Sequence, residues 1–244
     1  MNWQDEGFII SKKKFRENAI ILEIFTSQFG KVSGIVYGGT SRKIKNYLQL
    51  TNKIFIVYNS KSENRIGYFK TELIDAISPK YFNNSKKILC LNSLSSILSI
   101  LLPENQSYKK VYQSLNDLLN KFDDKNWLTH YLNWELDLIN NLGFGFDINP
   151  KKFPEIHSKK IHNITIDNIQ YNIPAFLVLK KFNNINLEEI YHGLNFCRNL
   201  MENKFFNPNN IRFPQSRKLL ENKFFNPNNI RFPYSRRLLE NKFL

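Results

Sequence analysis

The sequence predicts an α+β protein in which an N-terminal five-stranded barrel is followed by an α-helical domain. Three observations lead to this prediction. Apolar and polar residues alternate with a period near two from Gly7 to Ala76, where β-branched and aromatic residues are common. From Ser85 to Leu142 the apolar period becomes helical. Beyond residue 200 the chain repeats itself with a period of 19 residues.

Five strands are predicted in the first part, and turn residues separate them. Their sequences are GFIISKK, AIILEIFTS, KVSGIVYG, KIFIVYN and RIGYFKTELIDA. Five short strands in about 70 residues, with a glycine-rich bend after the third, are typical of a small closed barrel such as the OB-fold. Residues 1–78 are therefore predicted to form an OB-fold domain that binds nucleic acid.

Three helices are predicted next, in SKKILCLNSLSSILSILL, ENQSYKKVYQSLNDLLNKF and DKNWLTHYLNWELDLINNLG. Pro103 separates the first two, Asp123 or Asp124 can cap the third, and Gly143 ends it. Residues 143–173 are predicted to be irregular or at most a short hairpin. A further helix is predicted in NLEEIYHGLNFCRNLMENKFF. The helical domain is expected to span 79–200.

Residues 201–244 are predicted to form a basic C-terminal tandem repeat. ENKFFNPNNIRFP occupies 202–214 and again 221–233, and Arg198, Arg217 and Arg236 hold equivalent places. A solenoid usually has diverged repeats and needs about three units to bury a core, so near identity favours duplication without a new function. The last unit, from about Pro233, is expected to be peripheral. The alternative is that the last copy docks on the helices and the inserted units loop out.

The charge of the chain favours a polyanionic partner. The formal net charge is +14, from 35 Lys and Arg against 21 Asp and Glu, which indicates nucleic acid or an anionic membrane surface. No apolar stretch is long enough to cross a membrane, and the first ten residues carry acids where a signal peptide would be basic. A cytoplasmic protein without membrane association is expected.

No pattern in the sequence predicts catalysis or a metal site. The two cysteines are far apart, and His157 and His162 lie in a predicted loop and lack neighbouring acids or thiols of the right type. The glycine-rich stretch 38–43 departs from the phosphate-binding GxxxxGK[ST] pattern. Glu135 and Asp137 are spaced like surface charges of a helix. The protein is therefore expected not to be an enzyme and to need no metal or cofactor.

Binding of single-stranded nucleic acid fits the barrel better. Such proteins hold phosphates in a cationic groove and stack bases on aromatic side chains. The predicted DNA-binding residues are Lys12, Lys13, Lys14 and Arg16 in the first loop, Tyr37 at the end of the third strand, and Arg42, Lys43 and Lys45 in the loop after it. Phe15, Tyr58 and Tyr68 are further strand aromatics, whereas Phe25 is expected in the barrel core. The first basic run can also be a solvated loop.

The first fifty residues resemble the RecO family of DNA repair proteins. The places that carry the resemblance are held here by Glu6 and Gly7, Arg16 and Glu17, Phe25 and Thr26, Gly30, Gly38 and Gly39, Arg42 and Lys43, and Leu48 and Gln49. The resemblance continues through the helical domain, with Trp134, Glu135 and the LGFGFD turn in place.

The resemblance implies an OB-fold followed by helices and a function without catalytic turnover. It implies binding to single- and double-stranded DNA, annealing of complementary strands, contact with the single-strand-binding protein SSB, and, together with RecR, loading of RecA in the RecF pathway. It also implies a nucleoid-associated location. Many relatives carry a four-ligand zinc site after the Gly-Phe-Gly turn, but this chain has no cysteine there, so zinc is not expected. An OB-fold protein that binds single-stranded RNA is the alternative.

Overall fold

The computed structural model describes residues 2–62, 65–145, 148, 150–152 and 156–225. The first part consists of the strands β1 (Asn2–Arg16), β2 (Ala19–Thr26), β3 (Gly30–Tyr37), β4 (Lys53–Asn59) and β5 (Gly67–Asp75), with the short helix α1 (Arg42–Tyr47) between β3 and β4. The strands close into a barrel in the order β1-β2-β3-β5-β4. Only the β3–β5 pair among these is parallel. The predicted OB-fold barrel and the α+β fold class are confirmed.

The first strand is longer than the sequence predicts. Lys12, Lys13, Lys14 and Arg16 were expected in a loop, but they pair with residues of β2 and belong to β1. The end of this hairpin is exposed from Lys13 onward. Because it has no core to face, its sequence shows no apolar alternation, and the strand cannot be followed from the pattern alone.

The second part contains the helices α2 (Ser85–Leu101), α3 (Lys109–Asn120), α4 (Trp127–Ile139), α5 (Ala175–Leu179), α6 (Leu187–Met201) and α7 (Gln215–Phe224). The strands β6 (Ile161–Ile166) and β7 (Ile169–Pro174) form an antiparallel hairpin before α5. Residues 143–173 were expected to be irregular or to form at most a short hairpin, and the structure contains the hairpin. His162 was expected in a loop, but it lies on β6, with its Nε2 3.0 Å from the carbonyl oxygen of Lys159.

The start of α4 also differs from the prediction. Asn126 precedes the helix and makes no side-chain cap hydrogen bond. Asp123 accepts a hydrogen bond from Lys87 at 3.2 Å, and Asp124 lies 3.5 Å from the imidazole of His130. The two carboxylates that were expected to cap α4 therefore face other side chains.

The barrel and the helices share a buried core through β1 and β2. Ile9 points into the barrel, whereas Phe8 and Ile10 pack among the helices, because successive side chains of a strand point to opposite faces. The rings of Phe8 and Phe25 lie 5.3 and 5.6 Å from the ring of Tyr112 in α3. Phe25 is buried as expected, but its contacts are with the helices and not with the barrel interior.

Gly30 lets the loop between α2 and α3 approach the barrel. Its φ is +72°, and a Cβ at this position would lie 1.8 Å from the carbonyl oxygen of Gln106. In this contact the N–H of Asn105 donates to the carbonyl of Lys31 at 2.8 Å. The Lys31 ammonium donates to the carbonyl of Ser99 in α2 at 2.8 Å. One backbone hydrogen bond and one from a lysine side chain thus support the apolar interface between the two parts.

A buried ion pair joins α4 to α7. The side chains of Glu135 and Arg217 have no exposed surface, and the Arg217 Nε and Nη2 donate to the two carboxylate oxygens at 2.6 and 2.9 Å. Arg217 also donates to Glu221 at 2.8 Å and to the carbonyl of Leu194 at 3.1 Å. The interpretation of Glu135 as a surface charge is therefore wrong. Its partner is 82 residues away in the chain and leaves no trace in the pattern of α4.

The described part of the repeat lies in the helical core. Phe206, Phe213, Leu220 and Phe225 are buried there, and α7 packs against α2. The buried core therefore continues past residue 200, where the helical domain was expected to end. The last repeat unit, from about Pro233, lies outside the described residues.

Replacing Glu135 by Ala leaves the buried guanidinium of Arg217 without its bidentate partner. Removal of one partner of a buried ion pair lowers the free energy of unfolding by about 3–5 kcal/mol, and a urea titration of Glu135→Ala is expected to show this loss. Glu72→Ala, at an exposed position of β5, is the matched control and should leave the midpoint unchanged. A loss of less than about 1 kcal/mol would show that the carboxylate does not neutralise Arg217 in solution.

Candidate nucleic-acid interface

A basic groove lies at the end of the barrel where the β1–β2 hairpin faces α1. Its volume is about 350 Å³, and its lining residues are Lys12, Lys14, Glu17, Ile20, Gly39, Thr40 and Lys45. Lys12 and Lys14 of this lining belong to β1, and Lys45 belongs to α1; all three were predicted to bind DNA. The structure thus brings together two basic segments that are separated in the sequence.

The turn between β3 and α1 positions the two segments. Gly38 has a φ of +71°, which few residues other than glycine adopt. Its N–H donates to the carbonyl of Asn18 at 2.6 Å, and its carbonyl accepts from the N–H of Ser41 at 2.9 Å. The Thr40 hydroxyl donates to the carbonyl of Glu17 at 3.2 Å. These bonds fasten the glycine turn to the tip of the hairpin, so the start of α1 is held beside β1.

Lys12 connects the floor of this groove to the end of α1. Its ammonium donates to the carbonyl of Leu48 at 2.6 Å, where the last carbonyls of a helix carry partial negative charge. Partial burial and, secondarily, the nearby charge of Lys45 hold the pKa of Lys12 below the ordinary value for lysine. Lys12 also lines a larger groove of about 590 Å³ between the barrel and α2. It therefore contributes charge to the basic groove and also joins β1 to the end of α1.

The other cations of β1 do not share one surface. The Lys13 ammonium lies 3.6 Å from the carboxylate of Glu23, which also accepts a hydrogen bond from Ser99 of α2. Lys13 therefore faces the helices. Arg16 is exposed beyond the groove, and its guanidinium carbon lies 5.1 Å from the ring centre of Phe15. Lys12 and Lys14 are the two residues of this run that line the groove.

Arg42, Lys43 and Lys45 were expected in a loop but lie on α1, a helix without buried residues. All three side chains are exposed. Such a short polar helix has no apolar stripe, so periodicity analysis cannot separate it from a loop. Within the described ranges no acidic side chain forms an ion pair with these residues. Their charges are available to an anionic ligand.

A pair of exposed tyrosines extends the surface. Tyr37 is 62% exposed, and its ring centre lies 6.3 Å from that of Tyr68, which is 38% exposed. The pairing of β3 with β5 brings them together. Lys70 shares the exposed face of β5 with Tyr68, since the two are two residues apart. Sequence reasoning missed Lys70, although the exposed alternation of Tyr68 and Lys70 could have indicated it. The parallel pairing itself cannot be read from local sequence.

Tyr58 has a different role from Tyr37 and Tyr68. Its ring stacks on Trp3 at 4.9 Å, and its hydroxyl accepts a hydrogen bond from the N–H of Gly67 at 3.0 Å. Both contacts lie within the barrel. Tyr58 is therefore engaged in the barrel structure, and we do not include it in the candidate interface.

The residues that the structure describes show no cluster of three or more His, Cys, Asp or Glu side chains that could hold a metal ion. Cys90 and Cys197 are buried, and burial raises the pKa of both thiols well above its usual value. Protonated thiols are weak nucleophiles. In the same part of the chain, no helix is both long and apolar enough to cross a lipid bilayer.

Comparison with known proteins gives matches over both parts. The family models "Recombination protein O N terminal" and "Recombination protein O C terminal" match residues 1–77 and 83–150. The DNA repair protein RecO of Wolbachia pipientis subsp. Culex pipiens is 30% identical over 240 residues, which cover 89% of this chain and 97% of the relative. RecO of Wolbachia pipientis wMel is 29% identical over 240 residues, which cover 89% and 98%. RecO of Ehrlichia chaffeensis is 34% identical over 150 residues, 61% of each chain.

Among solved structures, the asparaginyl-tRNA synthetase of Entamoeba histolytica matches 88% of this chain and 60% of its own. The TM-score is 0.28 and the sequence identity is 9%. This likeness is too weak to inform either fold or function.

The hydrogen bond from Lys12 to Leu48 predicts a difference between two neighbouring lysines. Lys12→Met keeps the aliphatic stem but removes the ammonium, so the free energy of unfolding is expected to fall by about 1 kcal/mol, the lower range for a charged donor in partial contact with water. Lys14→Met, at an exposed position of the same strand, should leave it unchanged. Equal, negligible effects in thermal unfolding would show that the Lys12 ammonium is not bound to Leu48 in solution.

Proposed function

Because this chain belongs to the RecO family of DNA repair and recombination proteins, we propose that it is a recombination mediator that binds DNA at the basic end of its barrel. The observation that carries this assignment is the convergence of Lys12, Lys14 and Lys45 on one groove. OB-folds bind single strands through a cationic groove and aromatic side chains on an exposed face. This barrel has both features at one end.

Phosphate contacts supply the affinity in this proposal. Each phosphate that a lysine or arginine neutralises releases counterions, and this term does not depend on sequence. The groove cations face one another across the hairpin and α1, and Arg42 and Lys43 continue the positive surface along α1. Such a surface fits the backbones of both single- and double-stranded DNA. Tyr37 and Tyr68 add ring faces on which unpaired bases can stack.

Annealing of complementary strands follows from the same arrangement. A protein that holds a strand by its phosphates leaves the pairing edges of the bases free, and positive charge reduces the repulsion between two strands. The proposed mediator role includes displacement of SSB from single strands, contact with RecR, and through these indirect loading of RecA. Such work consists of binding and exchange, so the protein is proposed not to be an enzyme. With DNA as its partner, the protein is proposed to be cytoplasmic and associated with the nucleoid.

Annealing of SSB-coated complementary strands tests the proposed function. The protein is expected to accelerate duplex formation, measured by a fluorescence-quenching pair on the two strands, and to do so less well at high salt because phosphate contacts are screened. Absence of acceleration by folded protein that still binds the strands would refute the mediator role. Preference for single-stranded RNA over DNA of equal length in competition would favour the alternative of an RNA-binding protein.

The position of the binding site is tested by the salt dependence of DNA affinity. Replacing Arg42, Lys43 and Lys45 by Ala should reduce the slope of log K against log salt by roughly 2, at about 0.7 for each single-strand phosphate contact. The protein should remain folded because α1 buries no side chain.

Two control variants sharpen this measurement. Replacing the exposed lysines 125, 181 and 218 of the helical part by Ala removes the same charge and should leave the slope nearly intact. Tyr37→Ala should weaken binding by about 1–3 kcal/mol without changing the slope, because stacking releases no counterions. If the control triple lowers the slope as much as the α1 triple, the phosphate contacts are not concentrated at the barrel end.

A further inference from the structure

The helix α7 occupies a groove between α2, α4 and α6. Its contacts with the groove come from six positions: Ser216, Arg217, Leu220, Glu221, Phe224 and the adjoining Phe225. Arg217 reaches Glu135 in α4, Leu220 has no exposed surface, and the Ser216 hydroxyl lies 3.1 Å from that of Ser96 in α2. The two aromatic rings close the far end of the groove. These contacts are specific in both charge and shape.

The aromatic end of α7 contacts two other helices. The Phe224 ring lies 6.0 Å from the ring of Trp127 in α4, and the ammonium of Lys86 in α2 lies 4.4 Å from its centre. The Phe225 ring lies 5.1 Å from that of Tyr191 in α6. The groove therefore selects a segment with a basic anchor at its start and two bulky apolar residues at its end.

The chain contains a second segment with the same anchors. SRKLLENKFF at 216–225 is followed by SRRLLENKFL at 235–244, and a Phe-Pro pair precedes both. The two segments differ at Lys218, which is exposed, and at Phe225, whose counterpart is the apolar Leu244. Every other residue that fills the groove recurs 19 residues later. The second segment therefore carries nearly the whole recognition surface of α7.

The earliest copy of the repeat is not a competitor, because it forms a wall of the groove. Its arginine, Arg198, belongs to α6 and donates to Glu221 of α7 at 2.7 Å. Arg198 also lies 3.8 Å from Glu202 on its own helix side. The first copy, RNLMENKF at 198–205, thus forms part of the groove, and the second copy, RKLLENKF at 217–224, is the segment bound in it.

We propose that the α7 groove is a docking surface for either of two segments of the same chain, 214–225 or 233–244, and that docking of one excludes the other. The exclusion follows from Glu135, which offers one buried carboxylate to one arginine. In the minor arrangement Arg236 replaces Arg217, Leu239 replaces Leu220, and the intervening repeat becomes a longer connection. The two segments of the repeat then compete for the one α7 groove.

The length of the connecting chain determines how often each of the two segments is docked. Docking of the later segment lengthens the connection after α6 from 207–214 to 207–233, roughly threefold, which disfavours it by about sixfold because closure falls with the 3/2 power of length. A tethered segment has an effective concentration in the millimolar range. Exchange within one chain therefore exceeds docking onto another chain at micromolar protein.

Single and double substitutions of the two arginines test the proposal. Arg236→Ala should leave the unfolding equilibrium unchanged, and Arg217→Ala should shift it only about tenfold, because the later segment replaces the damaged one. The variant that combines both substitutions should shift the unfolding equilibrium constant more than about a hundredfold toward the unfolded state, as expected for a buried carboxylate without a partner. Lys218→Ala is the matched control at the exposed position of α7. If Arg217→Ala alone is as destabilising as the double variant, the proposal is wrong.

Hydrogen exchange with peptide mass analysis identifies the docked segment directly. The peptides 216–225 and 235–244 differ in mass, so their amide protection can be followed separately. Protection is expected mainly in 216–225 in the unaltered chain and should move to 235–244 in Arg217→Ala. Lack of protection in 235–244 in that variant would overturn the proposal. Light scattering at micromolar protein measures the oligomeric state of Arg217→Ala. A dimer would show that the later segment docks onto another chain, and it would refute exchange within one chain.

Discussion

The buried carboxylate of Glu135 is the constraint on which the helical part of the protein depends. A charge without exposed surface is tolerated only where its partners replace the water that it has lost. Arg217 supplies a bidentate pair from α7, and the hydroxyl of Tyr131 donates from α4 itself. Tyr131 in turn lies 2.9 Å from the hydroxyl of Ser93 in α2, and burial, followed by the charge of Glu135, raises the pKa of Tyr131 well above its usual value. Helices α2, α4 and α7 are therefore joined by one polar network that no single helix could complete.

The strand β1 joins the barrel to the helices, because its two faces contact different parts of the protein. Ile9 fills the barrel, Phe8 and Ile10 pack against the helices, and further along Lys12 and Lys14 line the basic groove. The loop that approaches Gly30 adds a backbone hydrogen bond to the same interface, from Asn105 to Lys31. Since one continuous strand runs from the helical core to the groove, a nucleic acid bound at the proposed site would be held in a defined orientation to the helices.

The sequence predicts the barrel well because its information is local. Strands with one face toward a core alternate in polarity, and each of the five strands could be recognised by that pattern. The pattern fails where no core is present, at the exposed end of β1 and in α1, so the basic residues were assigned to loops. It also fails for contacts between distant segments. The local sequence contains no signal for the ion pair of Lys13 with Glu23. It also contains none for the ion pair of Glu135 with Arg217. The candidate site was therefore predicted in composition but not in arrangement.

The same buried carboxylate explains why a repeated segment can persist in this fold. A duplicated helix usually needs a new apolar surface to cover it, and without one it remains in water. Here the groove already exists and Glu135 accepts one arginine in it, and the repeat also carries basic and Asn side chains, which are mostly found in contact with water. In the proposed exchange, the number of docked copies is limited by the single groove and not by the number of repeats. Each additional copy therefore lengthens the connection or adds positive charge, while the core that Glu135 and Arg217 hold together keeps its composition.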